Sequence, residues 1–172
     1  MKTARSPYTA QTAIDSPLGR IALARTATGL AGLWFDGQKH APQWLDAPRR
    51  DDDALLADAA RQLAEYWRGA RTAFELPLDA QGTPFQRAVW DALCAIPCGR
   101  TTSYGAVARG IGAAAAVRAV GAAIGRNPIG IVVPCHRVLG SDGSMTGYAG
   151  GLDRKAALLD LEGGQLPLRA AA

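Results

Sequence analysis

The sequence lacks the features of a membrane protein or a secreted protein. It contains no apolar run approaching the ~20 residues that a membrane-spanning helix needs. The first residues, MKTARSPYTAQTAIDSP, contain no apolar core of a signal peptide. Three cysteines are an odd number, and they are not spaced like a disulfide framework. We therefore expect a cytoplasmic protein with no membrane partner.

Acidic residues are missing from a long central stretch. Between Asp91 and Asp142 there is no Asp or Glu, whereas five arginines are spread through that window. Residues 1–81 hold ten basic and ten acidic residues, and residues 82–172 hold nine basic and five acidic, so the formal charge of +4 belongs to the second half. A basic, acid-free stretch is typical of proteins that bind DNA phosphate, although chance in an arginine-rich chain also produces it.

Histidine is scarce, and this limits the catalytic classes. A cysteine peptidase needs a histidine distant in sequence from its nucleophile, and only His40 could serve. The other histidine, His136, directly follows Cys135 in the segment IVVPCHRV. Cysteine is a strong nucleophile only as a thiolate, and we expect the adjacent imidazole, Arg137 and the lack of acids to favour the thiolate.

Two other interpretations of this segment stay open. Cys135 could be a plain buried cysteine. A zinc site could use the three cysteines together with His136, although zinc sites usually show two clean pairs of ligands. If Cys135 is a nucleophile, His136 is not a simple direct base, because neighbours on an extended chain point to opposite faces. A bridging water would then carry the proton.

The first half of the chain is predicted to contain strands followed by one helix. GRIALAR and GLAGLWF, bounded by turn signals, predict a β-hairpin or meander from residue 10 to 36. Apolar residues at helical spacing predict a helix over 53–68. The segment ELPLDAQGTPF, with two prolines and a glycine, is the predicted boundary between an N-terminal α/β domain (1–80) and a C-terminal domain (81–168).

The second half is predicted to be mostly helical. A Thr-Pro-Phe-Gln capping box at Thr83 begins one helix, and Ser103 is a candidate N-cap of a second. Residues 113–125 predict a helix of almost only small side chains. IGIVVP predicts a buried strand, and the Asp-Gly pair at 142 predicts a hairpin. The last helix, 152–162, is expected to bury its leucines. Helices followed by a hairpin are the layout of a winged helix-turn-helix.

The stretch from Phe85 to Glu162 resembles the O6-alkylguanine-DNA alkyltransferases, or methylated-DNA–protein-cysteine methyltransferases. The matching segments are FQRAVWDALCAIPCGRTTSYG, VRAVGAAIGRNP, IVVPCHRV and GYAGGLDRKAALLDLEG. The opening IDSPLGRIALA fits the family's less specific N-terminal domain. The resemblance implies a two-domain α/β (α+β) fold, with an N-terminal ribonuclease-H-like sheet-plus-helix domain and a C-terminal winged helix-turn-helix domain.

The resemblance also implies a reaction, which is direct-reversal DNA repair. The alkylated guanine would flip out of the duplex, and its alkyl group would pass irreversibly to Cys135, once per molecule. His136 would act as the base through a water, and Glu162 would polarise His136. Asn127 would hold the active-site loops. Tyr104 would help to turn the nucleotide's phosphate and would hydrogen-bond the guanine.

Further residues would bind DNA or wall the pocket. The resemblance makes Arg118 the finger that replaces the flipped-out base in the stack. Arg126 and Arg137 would bind phosphate, and Ser103 would contact DNA beside Tyr104. The residues expected to line the substrate pocket are Val138 through its carbonyl, Tyr148, Ala149 and Gly150.

We expect no cofactor and no metal, and a monomer whose partner is double-stranded DNA carrying O6-alkylguanine. O4-alkylthymine as a second lesion, and cooperative binding along DNA, stay open. The chain departs from the family in two places. Many members have a proline before the finger helix, where this chain has GAAAA, and some have serine where this chain has Ala149.

Two binding modules are the rival interpretations. Alkyltransferase-like proteins flip and bind the lesion without transfer, but they lack the acceptor cysteine, and Cys135 is present. An ordinary winged-helix transcription factor would place a richly polar helix against base edges. The helix predicted over 113–125 is too bare for that role.

Overall fold

The computed structural model describes residues 6–163. Three strands come first, and five helices and two short strands follow. In chain order they are β1 (Ala10–Ile14), β2 (Ile21–Arg25), β3 (Leu30–Phe35), α1 (Ala54–Trp67), α2 (Pro84–Cys94), β4 (Thr102–Ser103), α3 (Tyr104–Gly110), α4 (Val117–Gly125), β5 (Val138–Leu139) and α5 (Leu152–Leu161). No described helix is long and apolar enough to cross a membrane. Residues 1–5 and 164–168 of the two predicted domains lie outside the described residues.

The first three strands form an antiparallel meander in the order β1-β2-β3, as the sequence predicts. All six residues of β3 are buried. The outer edge of β3 is covered by later parts of the chain, because Leu30 bridges to Leu78 and Leu33 bridges to Ile129. A free strand edge is a template for unwanted pairing, and here later segments of the chain close it. The same contact fixes the loop that begins near Ile129 against the sheet.

The predicted helix over 53–68 is confirmed as α1. The carboxylate of Asp53 accepts the backbone N–H groups of Leu55 and Leu56 at 3.0 Å each, which satisfies donors that have no partner inside the helix. The apolar face of α1 packs on the sheet, and its last turn places Tyr66 in the core. The hydroxyl of Tyr66 bonds to Glu162, in the C-terminal half of the chain.

Three helices form the core of the second half. The capping box at Thr83 is confirmed, with Pro84 at the first helical position of α2. The indole N–H of Trp90 donates to the carbonyl of Ala123 at 2.8 Å, which ties α2 to α4. Ser103 caps α3, as predicted, by accepting the N–H of Ala106 at 3.1 Å. The pair α3 and α4 is the helix-turn-helix.

The helix that carries Arg118 begins later than predicted. Residues 114–116 form a single 3₁₀ turn, and α4 itself starts at Val117. No side chain caps either start. An alanine side chain has no polar group that could accept the first N–H groups of a helix. The run of alanines therefore favours helical conformation but provides no N-cap.

Two predicted β-elements are wrong. IGIVVP is not a strand: Ile129 makes one bridge, and Ile131 adopts a left-handed φ of 68° that ends any extended run. The predicted hairpin around residue 142 is absent among residues 6–163. A tight turn is present, with Gly143 N–H bonded to Gly140 at 2.9 Å. β5, however, pairs in parallel with β4 and not with the segment after residue 142. The segment predicted as the hairpin of the winged domain is therefore a short strand, β5, followed by a loop.

The last helix, α5, buries fewer leucines than expected. Leu158 and Leu159 are buried, but Leu152 and Leu161 are 45% and 37% exposed. The buried stripe instead follows the i, i+3, i+4 spacing from Lys155, which occupies a position that an apolar side chain normally takes.

Candidate active site

A rigid loop, not a strand, delivers Cys135. Asn127 is buried, its side-chain oxygen accepts the N–H of Ile129 at 3.0 Å, and its amide donates to the carbonyl of Val133 at 2.8 Å. The N–H of Cys135 then donates to the same Val133 carbonyl at 2.8 Å. Residues 135–137 form one 3₁₀ turn that leads into β5. Asn127 therefore braces the loop from both sides.

Cys135 lies in the wall of a cavity of about 200 Å³ and is 8% exposed. Burial raises the pKa of its thiol, while the nearby amide of Asn127 and the positive charge of Lys155 act in the opposite direction. Because burial dominates, the resting group is the thiol, and the influences that favour the thiolate do not outweigh burial in this state. A base is needed to remove the proton.

A buried ion cluster lies behind Cys135 around Glu162. The Nε2 atom of His136 is 2.8 Å from Glu162 Oε1, and Tyr66 donates its hydroxyl to the same oxygen at 2.7 Å. Arg137 donates to both carboxylate oxygens at 2.9 Å. Burial alone would raise the pKa of Glu162, but the hydrogen bonds from His136 and Arg137 bring it down to about 2. Glu162 is therefore ionised.

The same cluster fixes the state of His136, which is fully buried. Burial lowers the pKa of His136 by more than Glu162 raises it, so the ring is neutral near pH 7. An ionised carboxylate only accepts hydrogen bonds, so Nε2 must carry the ring's hydrogen. Nδ1 is buried and bonds to no group in the described part of the chain. It is thus available as a proton acceptor.

The prediction that Arg137 binds DNA phosphate is wrong. Its side chain is 7% exposed, and all three guanidinium nitrogens make bonds inside the protein. Two of them donate to Glu162, and Nη1 donates to the carbonyl of Ile96 at 2.6 Å. A guanidinium bound in this way has no free donor face for DNA, so Arg137 holds Glu162 in place instead.

Lys155 was not predicted to be part of the site. Its ammonium group is buried and donates to the carbonyls of Val138, Thr146 and Gly147 at 2.6, 3.3 and 3.1 Å. Burial lowers the pKa of Lys155 to about 8, against an opposing effect of Cys135. The one local sign in the sequence is that Lys155 lies three and four residues before Leu158 and Leu159, on the buried face of α5. It joins β5 to the loop that forms the cavity's outer wall.

The walls of the cavity come from several elements. Tyr104 lines it from the start of α3 and donates its hydroxyl to Thr146 at 2.7 Å. Tyr148 and Ala149 line it from the loop before α5. The small-residue helix α4 contributes Gly121, Ile124 and Gly125. The small side chains of α4 thus leave space beside Cys135.

Two residues predicted to line the pocket do not reach it. Val138 is fully buried, and its carbonyl accepts the ammonium group of Lys155. Gly150 is also buried, packs against the ring of Tyr148, and offers its carbonyl to Arg154 at 3.0 Å. Neither residue lines the cavity, and the carbonyl of each accepts a hydrogen bond from a cation of α5.

Two residues that line the cavity were not predicted. Lys39 and His40 reach it from the loop after β3, in the other half of the chain. No motif or spacing in the sequence marks this loop as part of a site. Only the packing of the sheet edge against the second half brings it there.

The remaining predicted DNA contacts lie on or near α4. Arg118 and Arg126 are exposed, near the start and at the end of that helix. Ser103 is partly buried, and its hydroxyl is engaged as the cap of α3. The two arginines keep their side chains available to a partner.

Within residues 6–163, no group of three or more His, Cys, Asp or Glu side chains is placed to hold a metal ion. Cys94 is exposed on α2, Cys98 is partly buried, and Cys135 is buried in the cavity wall. The zinc interpretation therefore has no support in the described part of the chain.

Fold and site together define a class: a helix-turn-helix protein whose cavity holds a buried cysteine, backed by a neutral histidine and an ionised glutamate. Residues 10–80 match the family model described as 6-O-methylguanine DNA methyltransferase, ribonuclease-like domain. Residues 84–164 match the model of the same family's DNA binding domain. The chain belongs to the methylated-DNA–protein-cysteine methyltransferase family.

Individual relatives cover most of the chain. The methylated-DNA–protein-cysteine methyltransferase of Mycolicibacterium paratuberculosis is 49% identical over 87% of this chain and 89% of its own length. The inducible enzyme of Bacillus subtilis is 48% identical over 79% and 82%. The crystal structure of Mycobacterium tuberculosis OGT in complex with DNA superposes with a TM-score of 0.82 at 45% identity, covering 90% of this chain and 92% of that one. The predicted family and the α/β fold with a C-terminal helical domain are confirmed.

Proposed function

We propose that this protein repairs O6-alkylguanine in double-stranded DNA by direct reversal, taking the alkyl group irreversibly onto Cys135, once per molecule and without a cofactor. The observation that carries the proposal is Cys135 in the wall of a cavity between α3, α4 and the loop before α5, with His136 and Glu162 behind it. The relatives named above support the same activity. We assign alkyl transfer and DNA binding to residues 81–168, a supporting role to residues 1–80, and the reaction to the cytoplasm.

The lesion must leave the base stack to reach Cys135. Flipping a base costs a few kcal/mol, and least for a poorly paired base such as an alkylated guanine. Arg118, exposed at the start of α4, fills the gap left in the stack, and Arg126 binds phosphate. The small side chains of α4 allow its backbone to approach the groove closely.

The proton of the Cys135 thiol passes through a bridging water to Nδ1 of His136. Glu162, ionised and bonded to Nε2, stabilises the imidazolium that forms. Lys155 lies close enough to affect the pKa of Cys135 and stabilises the thiolate. Asn127 keeps the loop and its thiol in place.

The thiolate then attacks the alkyl carbon in line. The new S–C bond forms as the C–O6 bond breaks, and the departing guanine keeps the electron pair and takes up a proton. The O–H of Tyr104, which bonds to the carbonyl of Thr146 in the free protein, turns to donate to the guanine as negative charge grows on it. The product is a thioether, and no group in the described cavity wall is suited to cleave one, so each molecule reacts once.

Intact-protein mass after mixing with excess duplex containing one O6-methylguanine tests the proposal. We expect a gain of one methyl group, mapped to Cys135 and never exceeding one per chain. The alternative function, lesion binding without transfer as in alkyltransferase-like proteins, predicts tight lesion binding with no mass gain. The presence of Cys135 disfavours that alternative.

Replacing Arg118 with alanine separates flipping from chemistry. We expect transfer from duplex DNA to slow by about 10- to 100-fold, since the variant no longer offsets the few kcal/mol of unstacking. Transfer from the free base O6-benzylguanine should be unchanged, because no flipping is needed. Rate constants from mass spectra at timed quenches give both values. Equal slowing of the two substrates would contradict the finger role.

A further inference from the structure

A basic element from the N-terminal half reaches the cavity. Lys39 and His40 line the same cavity as Cys135. No acidic residue lines this cavity. Neither side chain forms an ion pair within residues 6–163. A lysine and an imidazole without a counter-charge, beside a ligand cavity, are suited to bind anionic oxygens.

The backbone of this element is fixed independently of those two side chains. The turn after β3 is closed by Gln38, whose N–H donates to Phe35 at 3.2 Å and whose side-chain oxygen accepts the N–H of Phe35 at 2.9 Å. The N–H of Lys39 donates to the carbonyl of Ala149, in the cavity wall, at 3.0 Å. His40 follows with a left-handed φ of 63°, which turns the chain sharply. Side-chain substitutions at 39 and 40 therefore leave the anchoring bonds in place.

We propose that Lys39 and His40 form an anion-binding rim that favours O6-alkyl groups ending in a carboxylate over uncharged ones. The inference rests on the proposed function and names a substrate class for it. The carbon that is transferred must reach the sulfur of Cys135 in either case. Lys39 and His40 therefore interact only with the substituent, such as a carboxylate, that is attached to the transferred carbon.

The chemistry of transfer is the same for a carboxymethyl group as for a methyl group. The S–CH₂ bond forms as the CH₂–O6 bond breaks, guanine keeps the electron pair and takes up a proton, and the carboxylate is carried over unchanged. A lysine ammonium near that carboxylate offsets its loss of water on entering the cavity.

The same chemistry could serve a second source of anionic oxygens, the phosphate beside the flipped nucleotide. The carboxylate is favoured because both residues line the cavity that contains the nucleophile. Free bases carry no phosphate, so a comparison of free bases with duplexes distinguishes the two sources.

The test measures rate constants of transfer to Cys135 by intact mass. The substrates are O6-carboxymethylguanine and O6-methylguanine, each as the free base and in one duplex sequence. The variants are Lys39→Gln, His40→Gln and the double variant. Arg68→Gln is the matched control, because Arg68 is an exposed cation of the same half that does not line the cavity. Thermal unfolding checks that all variants are folded.

In the double variant we expect the carboxymethyl-to-methyl rate ratio to fall about ten-fold for free bases and duplexes alike. The fall should shrink as salt is added, because both residues are exposed and screened. Arg68→Gln should leave the ratio unchanged. If the double variant slows both duplex substrates by the same factor and leaves the free bases unaffected, the rim binds phosphate and the proposal is overturned. An unchanged carboxymethyl-to-methyl rate ratio would also overturn it. If the native protein accepts no methyl group from any substrate, it is the proposed function that fails.

Discussion

Cys135→Ser is expected to abolish alkyl transfer and to retain binding to a duplex containing O6-methylguanine. A serine hydroxyl in this buried position has a pKa far too high for His136 to generate an alkoxide through a water, so no nucleophile forms. Removing a nucleophile typically lowers rates by on the order of a thousand-fold or more. The readouts are intact mass, which should show no methyl gain, and fluorescence anisotropy, which should show lesion binding comparable to that of the native protein.

The matched control is Cys98→Ser, which removes a partly buried thiol that does not line the cavity. It should gain one methyl group at the native rate. Cys135→Ala provides a second variant in case serine places an unsatisfied hydroxyl beside Asn127. A methyl group found on any other residue of Cys135→Ser would show that the acceptor was wrongly assigned.

The helix starts were the most predictable part of the fold. Asp53, Thr83 and Ser103 each cap a helix by bonding to N–H groups two or three residues ahead. Such signals are local, so a short window of sequence contains both partners. The missing cap before α4 was equally visible as a run of alanines, and there the helix begins late.

The loop before Cys135 was mispredicted for a tertiary reason. A short β-branched run is typical of a buried strand, and Ile129, Ile131 and Val133 are indeed buried. Asn127, however, takes up the backbone groups of Ile129 and Val133 that a neighbouring strand would otherwise bond. Two hydrogen bonds from one amide side chain, at the edge of β3, decide the conformation of the segment.

The candidate site shows the same contrast between local signals, which the sequence contains, and contacts between distant residues, which it does not. Cys135 and His136 were predicted as site residues because they are adjacent in sequence. Whether a charged residue is internal or faces a partner depends on groups far away in the chain. Arg137 is internal because Glu162 lies 25 residues further on. Lys155 is internal because its ammonium group donates to carbonyls 8 to 17 residues before it. Short spacing rules contain no information about such pairs.

Glu162→Gln is expected to destabilise the protein and to slow transfer together. The native carboxylate accepts bonds from Tyr66, His136 and Arg137. A glutamine retains one acceptor oxygen but directs an NH₂ group at the guanidinium and leaves Arg137 buried without a counter-charge. Breaking a buried pair in this way costs about 3–5 kcal/mol of unfolding free energy. Transfer should slow by about 100-fold, because the imidazolium of His136 loses its partner.

The dependence of the unfolding free energy on pH distinguishes Glu162→Gln from the native protein. The pKa of Glu162 is lowered from 4.5 to about 2 in the folded state. Its contribution, about 3 kcal/mol, is therefore fully present above pH 4.5 and lost as the pH falls towards 2. The folded-state pKa of His136 is lowered too, so folding favours the neutral ring and stability also declines below its ordinary value of 6.5.

Urea unfolding across pH 2–8 measures both contributions. The native protein should lose stability in two stages on acidification, below about 6.5 from His136 and below about 4.5 from Glu162. Glu162→Gln should keep the first stage and lack the second. Glu75→Gln is the control: its side chain is 85% exposed, and the change should stay within about 0.5 kcal/mol at every pH. A second stage of native size in Glu162→Gln would show that other carboxylates cause the acid sensitivity, and that Glu162 does not hold the buried cluster together.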